Sequence, residues 1–139
     1  TTEQFKGTHL VVELDHNLGM VSINKIQIEQ VLINMIQNAL DSMAEAQIQS
    51  IGTLRIRTQA EGKHALKVLI SDEGIGLKPE IQEQIFRPFY TSKKNGMGMG
   101  LPISRSIIEA HGGKLEGENN RKKGATFSFT LPLEGAERS

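Results

Sequence analysis

Residues Gly96-Met97-Gly98-Met99-Gly100-Leu101 are followed at once by Pro102-Ile103-Ser104-Arg105-Ser106-Ile107-Ile108-Glu109-Ala110-His111. Glycine adds no side chain to a core and costs backbone entropy, so three alternate glycines indicate close approach of backbone N–H groups to a ligand. The apolar residues behind them recur at helical spacing, with Pro102 in the first turn. A glycine loop that opens a helix is a typical phosphate site, because unpaired N–H groups and the positive dipole end face the ligand.

The segment before the glycines decides which nucleotide fold is possible. A dinucleotide-binding fold needs a strand directly before its glycine motif. Here the polar residues 91–95, Thr-Ser-Lys-Lys-Asn, precede the glycines, and the spacing is Gly-x-Gly-x-Gly. We therefore reject a dinucleotide-binding enzyme and interpret residues 91–95 as a mobile loop that runs into the glycines.

The composition is that of a small globular domain without strong charge. Of 139 residues, 37% are hydrophobic, and 16 basic side chains balance 16 acidic ones. Zero formal charge argues against nucleic acid or an anionic membrane surface as a partner. The absence of cysteine excludes disulfides and thiolate metal sites and suits a reducing compartment. No apolar run approaches the ~20 residues that span a bilayer.

The length predicts one domain over residues 1–139, with a frayed polar tail at 134–139. Because the first residue is Thr1 rather than Met, we expect this domain to be excised from a longer, multidomain protein. A membrane or sensor portion would then lie elsewhere in that protein.

The hydrophobic patterns predict the order β, α, β, β, short α, loop, α, β, β. Two antiparallel hairpins favour an α+β two-layer sandwich, in which about three helices pack on one face of a mixed, mostly antiparallel sheet. The predicted strands are 8–14, 52–60, 65–71, 114–117 and 125–133. The predicted helices are 25–47, 78–84 and the one that begins after the glycines and stops at His111-Gly112-Gly113.

The strongest predicted helix, 25–47, is capped by Ser22 or Asn24. It carries one apolar stripe of Ile28, Val31, Leu32, Met35, Ala39, Leu40 and Met43. Asn34 and Asn38 lie one turn apart on the border of that stripe. A single asparagine there is typically a solvated or capping amide. Two at this spacing beside a buried face can converge on a hard cation or a polar group.

Residues 72–77, Asp-Glu-Gly-Ile-Gly-Leu, follow the second strand of the first hairpin. An acidic residue at the end of a strand provides a fixed acceptor, and the two glycines after it provide backbone that a ligand can approach. The alternative is a strand-to-helix turn in which Asp72 only caps. Further along, residues 85–90, Ile-Phe-Arg-Pro-Phe-Tyr, concentrate three aromatic side chains and predict at least a small hydrophobic cluster.

Four blocks stand in one order: Asn-Met-Ile-Gln-Asn-Ala-Leu-Asp at 34–41, Asp-Glu-Gly-Ile-Gly-Leu at 72–77, Phe-Arg-Pro-Phe-Tyr at 86–90 and Gly-Met-Gly-Met-Gly-Leu at 96–101. Their order and spacing resemble the ATP-binding catalytic domain of sensor histidine kinases. That domain belongs to the GHKL superfamily with DNA gyrase, mismatch-repair ATPases and heat-shock chaperones. The resemblance covers nearly the whole chain. Residues 89–113 look most like the oxygen-, nitrogen- and dicarboxylate-sensing kinases, which share a short lid.

The resemblance implies that the ligand is ATP with Mg²⁺. Asn38 would ligate the Mg²⁺, and Asn34 would face the phosphates or the waters of the metal. Asp72 would accept a hydrogen bond from the exocyclic amine of adenine. Gly74 and Gly76 would let the base lie against the backbone.

The lid would complete the site. Phe89 and Tyr90 would line the base and hinge the lid, and Lys93 or Lys94 would contact the γ-phosphate as a mobile point charge. The glycines would wrap the phosphates. The residues expected at the nucleotide are Asn34, Asn38, Asp72, Gly74, Gly76, Leu77, Phe89, Tyr90, Thr91, Ser92, Lys93, Lys94, Gly96, Gly98, Met99, Gly100 and Leu101, of which Asn34 and Lys93 are the catalytic candidates.

Two positions depart from the family pattern. Asp41 stands where some members place a phosphate-contacting lysine, so that role would be empty or would pass to the lid lysines. Ala125 replaces a hydroxyl that some relatives carry after the final glycine, which removes one polar contact near the base. Neither departure is expected to prevent ATP binding.

Asn34 is the most informative residue for the reaction. In the ATPases of the superfamily this position holds a glutamate that acts as general base on water, whereas an asparagine amide takes no proton. We therefore expect slow hydrolysis and transfer of the γ-phosphate to a positioned acceptor, which needs mostly placement and charge neutralisation. The resemblance implies that the acceptor is a histidine on a separate helical dimerisation domain, with a response regulator downstream.

The histidines of this chain are not acceptor candidates. His9, His16, His64 and His111 lie on a predicted strand, in turns and at a helix end, and we expect each to be an ordinary surface residue. The resemblance further implies a monomeric, cytoplasmic domain, whether or not its parent is anchored in a membrane. Two alternatives stay open: an ATPase of the same superfamily, and a nucleotide-gated protein-binding module of the anti-sigma type.

Overall fold

The computed structural model describes residues 2–5, 8–46, 52–77 and 100–135. Within these residues one sheet has six strands, in the order β1-β2-β3-β4-β6-β5. Their bounds are β1 Thr2–Phe5, β2 Thr8–Glu13, β3 Gly52–Glu61, β4 Ala65–Ser71, β5 Leu115–Asn119 and β6 Ala125–Pro132. The two helices of the described part are α1, Lys25–Glu45, and α2, Gly100–Ala110.

The strand pairing makes the sheet mixed and mostly antiparallel. β2 and β3 run parallel, and the other four neighbouring pairs in the described sheet run antiparallel. Parallel neighbours require a long crossover connection, and α1 provides it. The predicted α+β fold, with its mixed and mostly antiparallel sheet, is confirmed.

Helix α1 begins at its predicted cap and buries its predicted stripe. The Oδ1 of Asn24 accepts a hydrogen bond from the N–H of Gln27 at 3.1 Å, so Asn24 rather than Ser22 is the cap. Five residues of the stripe are buried and two are partly buried against the core. The buried ones are Ile28, Val31, Met35, Ala39 and Met43, and the partly buried ones are Leu32 and Leu40.

The core lies between the two helices and the sheet face formed by β3, β4, β5 and β6. Its largest fully buried side chains include Met35 from α1, Ile70 from β4, Ile108 from α2 and Phe129 from β6. The alternating residues of β6 predicted to share one face are buried from Ala125 to Leu131, and Leu133 is partly buried. The end of β4 and the start of β6 lie beside the last turns of α1 and the first turn of α2.

Helix α2 contains Pro102 in its first turn, and it stops at the predicted glycines. Gly112 has a positive φ of 83°, a conformation that glycine adopts without strain. The N–H of Gly112 donates to the carbonyl of Glu109 at 3.0 Å, and the N–H of Gly113 donates to that of Ile108 at 2.9 Å. These bonds satisfy carbonyls that the end of the helix would otherwise leave open.

His111 corrects one expectation. His9, His16 and His64 are exposed, as expected of surface residues. His111 is half-buried, its Nδ1 lies 2.8 Å from the carbonyl of Ile107, and its Nε2 accepts from the N–H of Asn24 at 3.0 Å. Nε2 therefore joins the end of α2 to the cap of α1, while Nδ1 lies against a carbonyl of α2 itself, which makes His111 a structural residue.

The structure differs from the sequence prediction at several strands, and part of the prediction lies outside the described residues. Strand β1 was not predicted from the sequence, because Thr-Glu-Gln-Phe has no apolar alternation and is held by antiparallel backbone pairing with β2. Strand β5 begins one residue later and ends two residues later than predicted. The predicted helix 78–84 and the aromatic cluster 85–90 fall outside the described residues.

Two further observations concern the predicted tail and membrane contact. The N–H of Glu134, at the start of the segment expected to be frayed, donates to the carbonyl of Met20 at 2.7 Å. Within the described ranges, no helix is both long enough and apolar enough to cross a bilayer.

Candidate functional site

Asp72 stands directly after β4 and is only 3% exposed. Its Oδ1 accepts from the N–H of Gly74 at 2.8 Å and from the N–H of Ala125 at 3.3 Å. Its own N–H donates to the carbonyl of Ala125 at 2.9 Å. Because hydrogen bonds to an ionised carboxylate are stronger than neutral ones, this acceptor is held in one orientation before any ligand arrives.

Helix α1 packs on the turn after Asp72 through Ser42. The Oγ of Ser42 accepts from the N–H of Ile75 at 3.1 Å. A Cβ on Gly74 would lie 2.5 Å from the carbonyl carbon of Ser42 and 2.7 Å from its Cβ. Only glycine permits this approach of turn to helix. Gly74 therefore has a packing role, besides the contact with a base that the resemblance implies.

The turn then reverses direction at Gly76, whose φ is +74°. The next residue, Leu77, is held by the side chain of Asn119 at the end of β5. The Oδ1 of Asn119 accepts from the N–H of Leu77 at 2.5 Å, and its Nδ2 donates to the carbonyl of Leu77. A side-chain amide thus pairs with both backbone groups of one residue, as a neighbouring strand would.

Gly124 supports Asp72 from the opposite side. It is buried, has a φ of +80°, and a Cβ there would lie 2.7 Å from the carbonyl carbon of Asp72. The side chain of Asn120 donates from Nδ2 to the carbonyl of Asp72 at 2.9 Å. The β5–β6 turn is therefore fitted against the backbone of the acidic residue.

A pocket opens between α1 and the turn 72–77. Its described lining is Asn38, Ser42, Glu45, Asp72, Ile75, Gly76, Leu77, Leu101, Ala125 and Phe127. Leu77, Leu101 and Phe127 provide apolar surface, and Asp72 and Asn38 provide polar groups. A mostly apolar cleft with a few placed polar groups is the usual form of a small-molecule site.

The pocket brings together five of the residues predicted at the site: Asn38, Asp72, Gly76, Leu77 and Leu101. Ala125, the departure noted near the base, is 3% exposed and also lines the pocket. Asp41, the second departure, accepts from the Nε2 of Gln37 at 2.8 Å.

Asn34 lies one turn before Asn38 and joins α1 to α2. Its Nδ2 donates to the carbonyl of Gly100 at 3.3 Å and to the Oγ of Ser104 at 3.1 Å, and its Oδ1 accepts from the Nε2 of Gln30 at 3.2 Å. Ser104 is fully buried. The amide of Asn34 therefore holds the first turn of α2, where the glycine stretch ends.

The acidic neighbour of Asp72 has a separate structural role. The Oε1 of Glu73 accepts from the N–H of Thr53 at 2.7 Å, and its Oε2 lies 3.9 Å from the Nζ of Lys123. Glu73 therefore ties the turn to β3 and to the β5–β6 turn.

The predicted lid lies outside the described residues. The candidates concerned are Phe89, Tyr90, Thr91, Ser92, Lys93, Lys94, Gly96, Gly98 and Met99. Their predicted roles remain predictions. Of the glycine stretch, the structure describes Gly100, which opens α2.

Three residues that hold the turn 72–77 were not predicted from the sequence: Ser42, Asn119 and Asn120. Ser42 continues the spacing of Asn34 and Asn38 by one more turn, and this spacing was a usable signal. The two asparagines stand in a polar turn where such residues are common, so the sequence contained no signal for their partners.

Comparison with known proteins identifies the family of this chain. Residues 23–135 match the family model described as histidine kinase-, DNA gyrase B- and HSP90-like ATPase. Over 127 residues the chain is 41% identical to the sensor protein FixL of Bradyrhizobium diazoefficiens, covering 91% of this chain and 25% of FixL. Over 114 residues it is 38% identical to the sensor protein TdiS of Thauera aromatica, covering 81% of this chain and 21% of TdiS. The chain therefore spans about a quarter or less of the length of these relatives.

Solved structures show the same fold. The catalytic domain of histidine kinase ThkA superposes with a TM-score of 0.76 at 35% identity, covering 88% of this chain and 77% of that one. A histidine kinase ThkA solved in complex with response regulator protein TrrA superposes with a TM-score of 0.74 at 32% identity, covering 93% of this chain and 35% of that one. The match of sequence and fold means that this chain belongs to the family of histidine kinase-, DNA gyrase B- and HSP90-like ATPases, and within it resembles the catalytic domains of sensor histidine kinases.

Proposed function

We propose that this domain binds ATP with Mg²⁺ and donates the γ-phosphate to a histidine on a separate dimerisation domain of the same protein. The observation that carries the proposal is the pocket between α1 and the turn 72–77. In it a buried, oriented carboxylate, Asp72, and an amide from α1, Asn38, line one cleft with apolar walls.

The proposed base site uses Asp72 as the acceptor for the exocyclic amine of adenine. Its orientation is supported by the two backbone N–H groups on Oδ1. The flat faces of the base would lie against Leu77, Leu101 and Phe127. Guanine presents a carbonyl where adenine presents its amine, so a carboxylate at this point would favour adenine over guanine.

The donor set fits Mg²⁺ held together with phosphates. Mg²⁺ prefers oxygen ligands and usually keeps waters and substrate phosphates around one or two protein groups. Asn38 offers an amide oxygen, and within the described ranges no three His, Cys, Asp or Glu side chains cluster as an all-protein cage would require. When bound, Mg²⁺ neutralises charge on the transferring phosphoryl group.

At position 34 the chain has an asparagine amide, where hydrolysis would need a carboxylate to act as general base. The amide of Asn34 takes no proton, and its contacts with Gly100 and Ser104 support a positioning role for it at the start of α2. Lys93 or Lys94 would contact the γ-phosphate, and Gly96, Gly98 and Gly100 would wrap the phosphates. A positioned γ-phosphate without a base for water favours transfer to an acceptor over hydrolysis.

The partners follow from the family. The acceptor would be a histidine-bearing helical domain, and the phosphate would pass to a response regulator. The ThkA kinase, solved with a response regulator, supports this order of partners by similarity. Three histidines of the described part are exposed in strands and turns, and His111 is committed to Asn24 and Ile107. We expect the isolated domain to be monomeric and cytoplasmic, whether or not its parent is anchored in a membrane.

The decisive experiment mixes this domain with the histidine-bearing domain of its parent and γ-labelled ATP. We expect label on the histidine, and we expect Asn38→Ala to slow labelling by about 100-fold, the effect typical of removing one group that stabilises the transition state. Asn17→Ala, an amide in an exposed turn, is the matched control and is expected to label normally. Rapid release of phosphate without any acceptor would replace the kinase with an ATPase. ATP binding with neither transfer nor hydrolysis would favour a nucleotide-gated binding module.

A further inference from the structure

The turn 72–77 is held by side chains from outside it, and two of them are adjacent. Asn119, the last residue of β5, pairs with Leu77 at one end of the turn. Asn120 donates to the carbonyl of Asp72 at the other end. Ser42 holds the middle through the N–H of Ile75. The two asparagines therefore fix both ends of the segment that forms one wall of the pocket.

The bond pattern at Asn119 is suited to positioning. Its Oδ1 and Nδ2 engage the N–H and the carbonyl of the same residue, so the amide fixes both the distance and the rotation of that peptide. Gly76 precedes Leu77 with a positive φ, and a Cβ on Gly76 would lie 2.9 Å from the Oδ1 of Asn119. The side chain thus lies directly against the backbone that leads into the pocket wall.

Asn120 is held by a chain of hydroxyl groups. The Oγ1 of Thr126 donates to the Oδ1 of Asn120, so its single proton is used there. The Oγ of Ser71, 2.7 Å from the Oγ1 of Thr126, must then be the donor of that pair. The Nδ2 of Asn120 also donates to the carbonyl of Lys123 at 3.1 Å. The side chain of Asn120 therefore also stabilises the β5–β6 hairpin, whereas among the described residues the side chain of Asn119 bonds only to Leu77. Asn119 is therefore the better of the two for a substitution test.

Asn119 is not among the described residues that line the pocket, and its side chain reaches the pocket wall through Leu77. It is exposed, and it lies at an edge strand of the described sheet. If its side chain is truncated, water can reach the N–H and the carbonyl of Leu77, so little stability is lost. What is lost is the fixed position of Leu77 in the pocket wall.

We propose that Asn119 is a positioning residue for adenine recognition: it holds Leu77, and through the turn Asp72, at the place where the base binds. This inference rests on the proposed function. The proposed role of Asn119 concerns one end of the ligand only. Binding of the base would depend on the turn 72–77, whereas binding of the metal and phosphates would depend on Asn38 and on the start of α2.

The test measures binding of ATP and of inorganic tripolyphosphate, both with Mg²⁺, by isothermal titration calorimetry. We expect Asn119→Ala to raise the Kd for ATP about fivefold, the factor for about one net hydrogen bond, and to change the Kd for tripolyphosphate by less than about twofold. Asp72→Asn provides the reference for loss of the base contact, and Asn17→Ala is the matched control. Hydrogen exchange supplies a second readout: the amide of Leu77 should exchange faster in Asn119→Ala, with little change in Tm.

The outcomes separate this inference from the function beneath it. Equal weakening of ATP and tripolyphosphate, or an unchanged Kd for ATP, would overturn the role of Asn119 while Asp72→Asn still reports a base site. If the amide of Leu77 exchanges without protection in the unaltered protein, while Asn17→Ala binds ATP normally, the pairing of Asn119 with Leu77 is overturned. If the unaltered protein binds tripolyphosphate but not ATP, the proposed function fails, and the adenine role of Asn119 fails with it.

Discussion

Gly124→Ala is the substitution that most directly tests how the hairpin β5–β6 builds the site. Gly124 is buried, has a φ of +80°, and lies against the backbone of Asp72. An added Cβ would lie 2.7 Å from the carbonyl carbon and 2.8 Å from the Oδ1 of Asp72, and nearer still to the carbonyl oxygen. Most of these atoms belong to a backbone that is already bonded to Ala125 and Asn120, so it cannot move aside cheaply.

Gly62→Ala is a matched control that separates two costs. Gly62 also stands in a hairpin turn with a positive φ, +65°, but a Cβ there would meet nothing within 4 Å. The left-handed backbone costs an alanine about 1–2 kcal/mol, part of which is returned because alanine restricts the unfolded chain. We therefore expect Gly62→Ala to lower the free energy of unfolding by about 1 kcal/mol.

The additional cost at Gly124 is overpacking. Forcing a methyl group into a packed site costs about 1–3 kcal/mol, and rigid neighbours put this case at the upper end. Together with the backbone term, Gly124→Ala should lower the free energy of unfolding by about 4 kcal/mol, which is a large part of the typical 5–15 kcal/mol of a domain. The displacement of Asp72 should also weaken ATP binding more than tenfold, a factor worth about 1.4 kcal/mol.

Urea unfolding of both variants, followed by circular dichroism, measures the first effect, and titration calorimetry with ATP measures the second. The reasoning is refuted if Gly124→Ala loses no more stability than Gly62→Ala, since the contact with Asp72 would then cost nothing. Failure of Gly124→Ala to fold, with Gly62→Ala folded, agrees with the expected order.

Two further substitutions test the helices. Asn34→Ala removes the hydrogen bonds to Gly100 and Ser104, and the Oγ of Ser104 is buried. We therefore expect the free energy of unfolding in urea to fall by about 1–3 kcal/mol and the amides at the start of α2 to exchange faster. A decrease below about 0.5 kcal/mol, the usual scatter of surface substitutions, would contradict the hydrogen-bonded link between the helices. Met35→Ala opens a cavity at a fully buried side chain and should lower the free energy of unfolding by about 2–5 kcal/mol. The ratio of the affinities for ATP and tripolyphosphate should stay unchanged. A changed ratio would mean that the core, and not the turn 72–77, determines recognition of the base.

The elements with strong periodic patterns were predictable from sequence. The stripe on α1, the alternation in β6 and the glycines after α2 each depend on local rules, namely burial of one face and tolerance of a positive φ. Strand β1 was not predictable in this way, because its pairing with β2 uses backbone groups that any sequence supplies. His111 was misjudged because its partner, Asn24, is 87 residues away.

The candidate site likewise has residues that the sequence predicts and contacts that it does not. Asp72 and Asn38 were predicted from short motifs, and the pocket brings them together. The hydrogen bonds of Asn34 to Gly100 and Ser104 were not predictable, because they depend on how α2 packs against α1. That Asn34 faces the phosphates stays a prediction from the sequence, and the fold shows in addition that its amide joins the two helices.

By itself the sequence determined the fold class, the family and the chemical types available to the site, since these depend on composition, periodicity and motifs of neighbouring residues. Only the tertiary structure decided which side chains hold those motifs in place. Ser42, Asn119 and Asn120 reach the turn 72–77 from 33 to 48 residues away. Each of these side chains hydrogen-bonds a backbone group that lies outside the described strands and helices, and that group comes within reach only after the chain has folded.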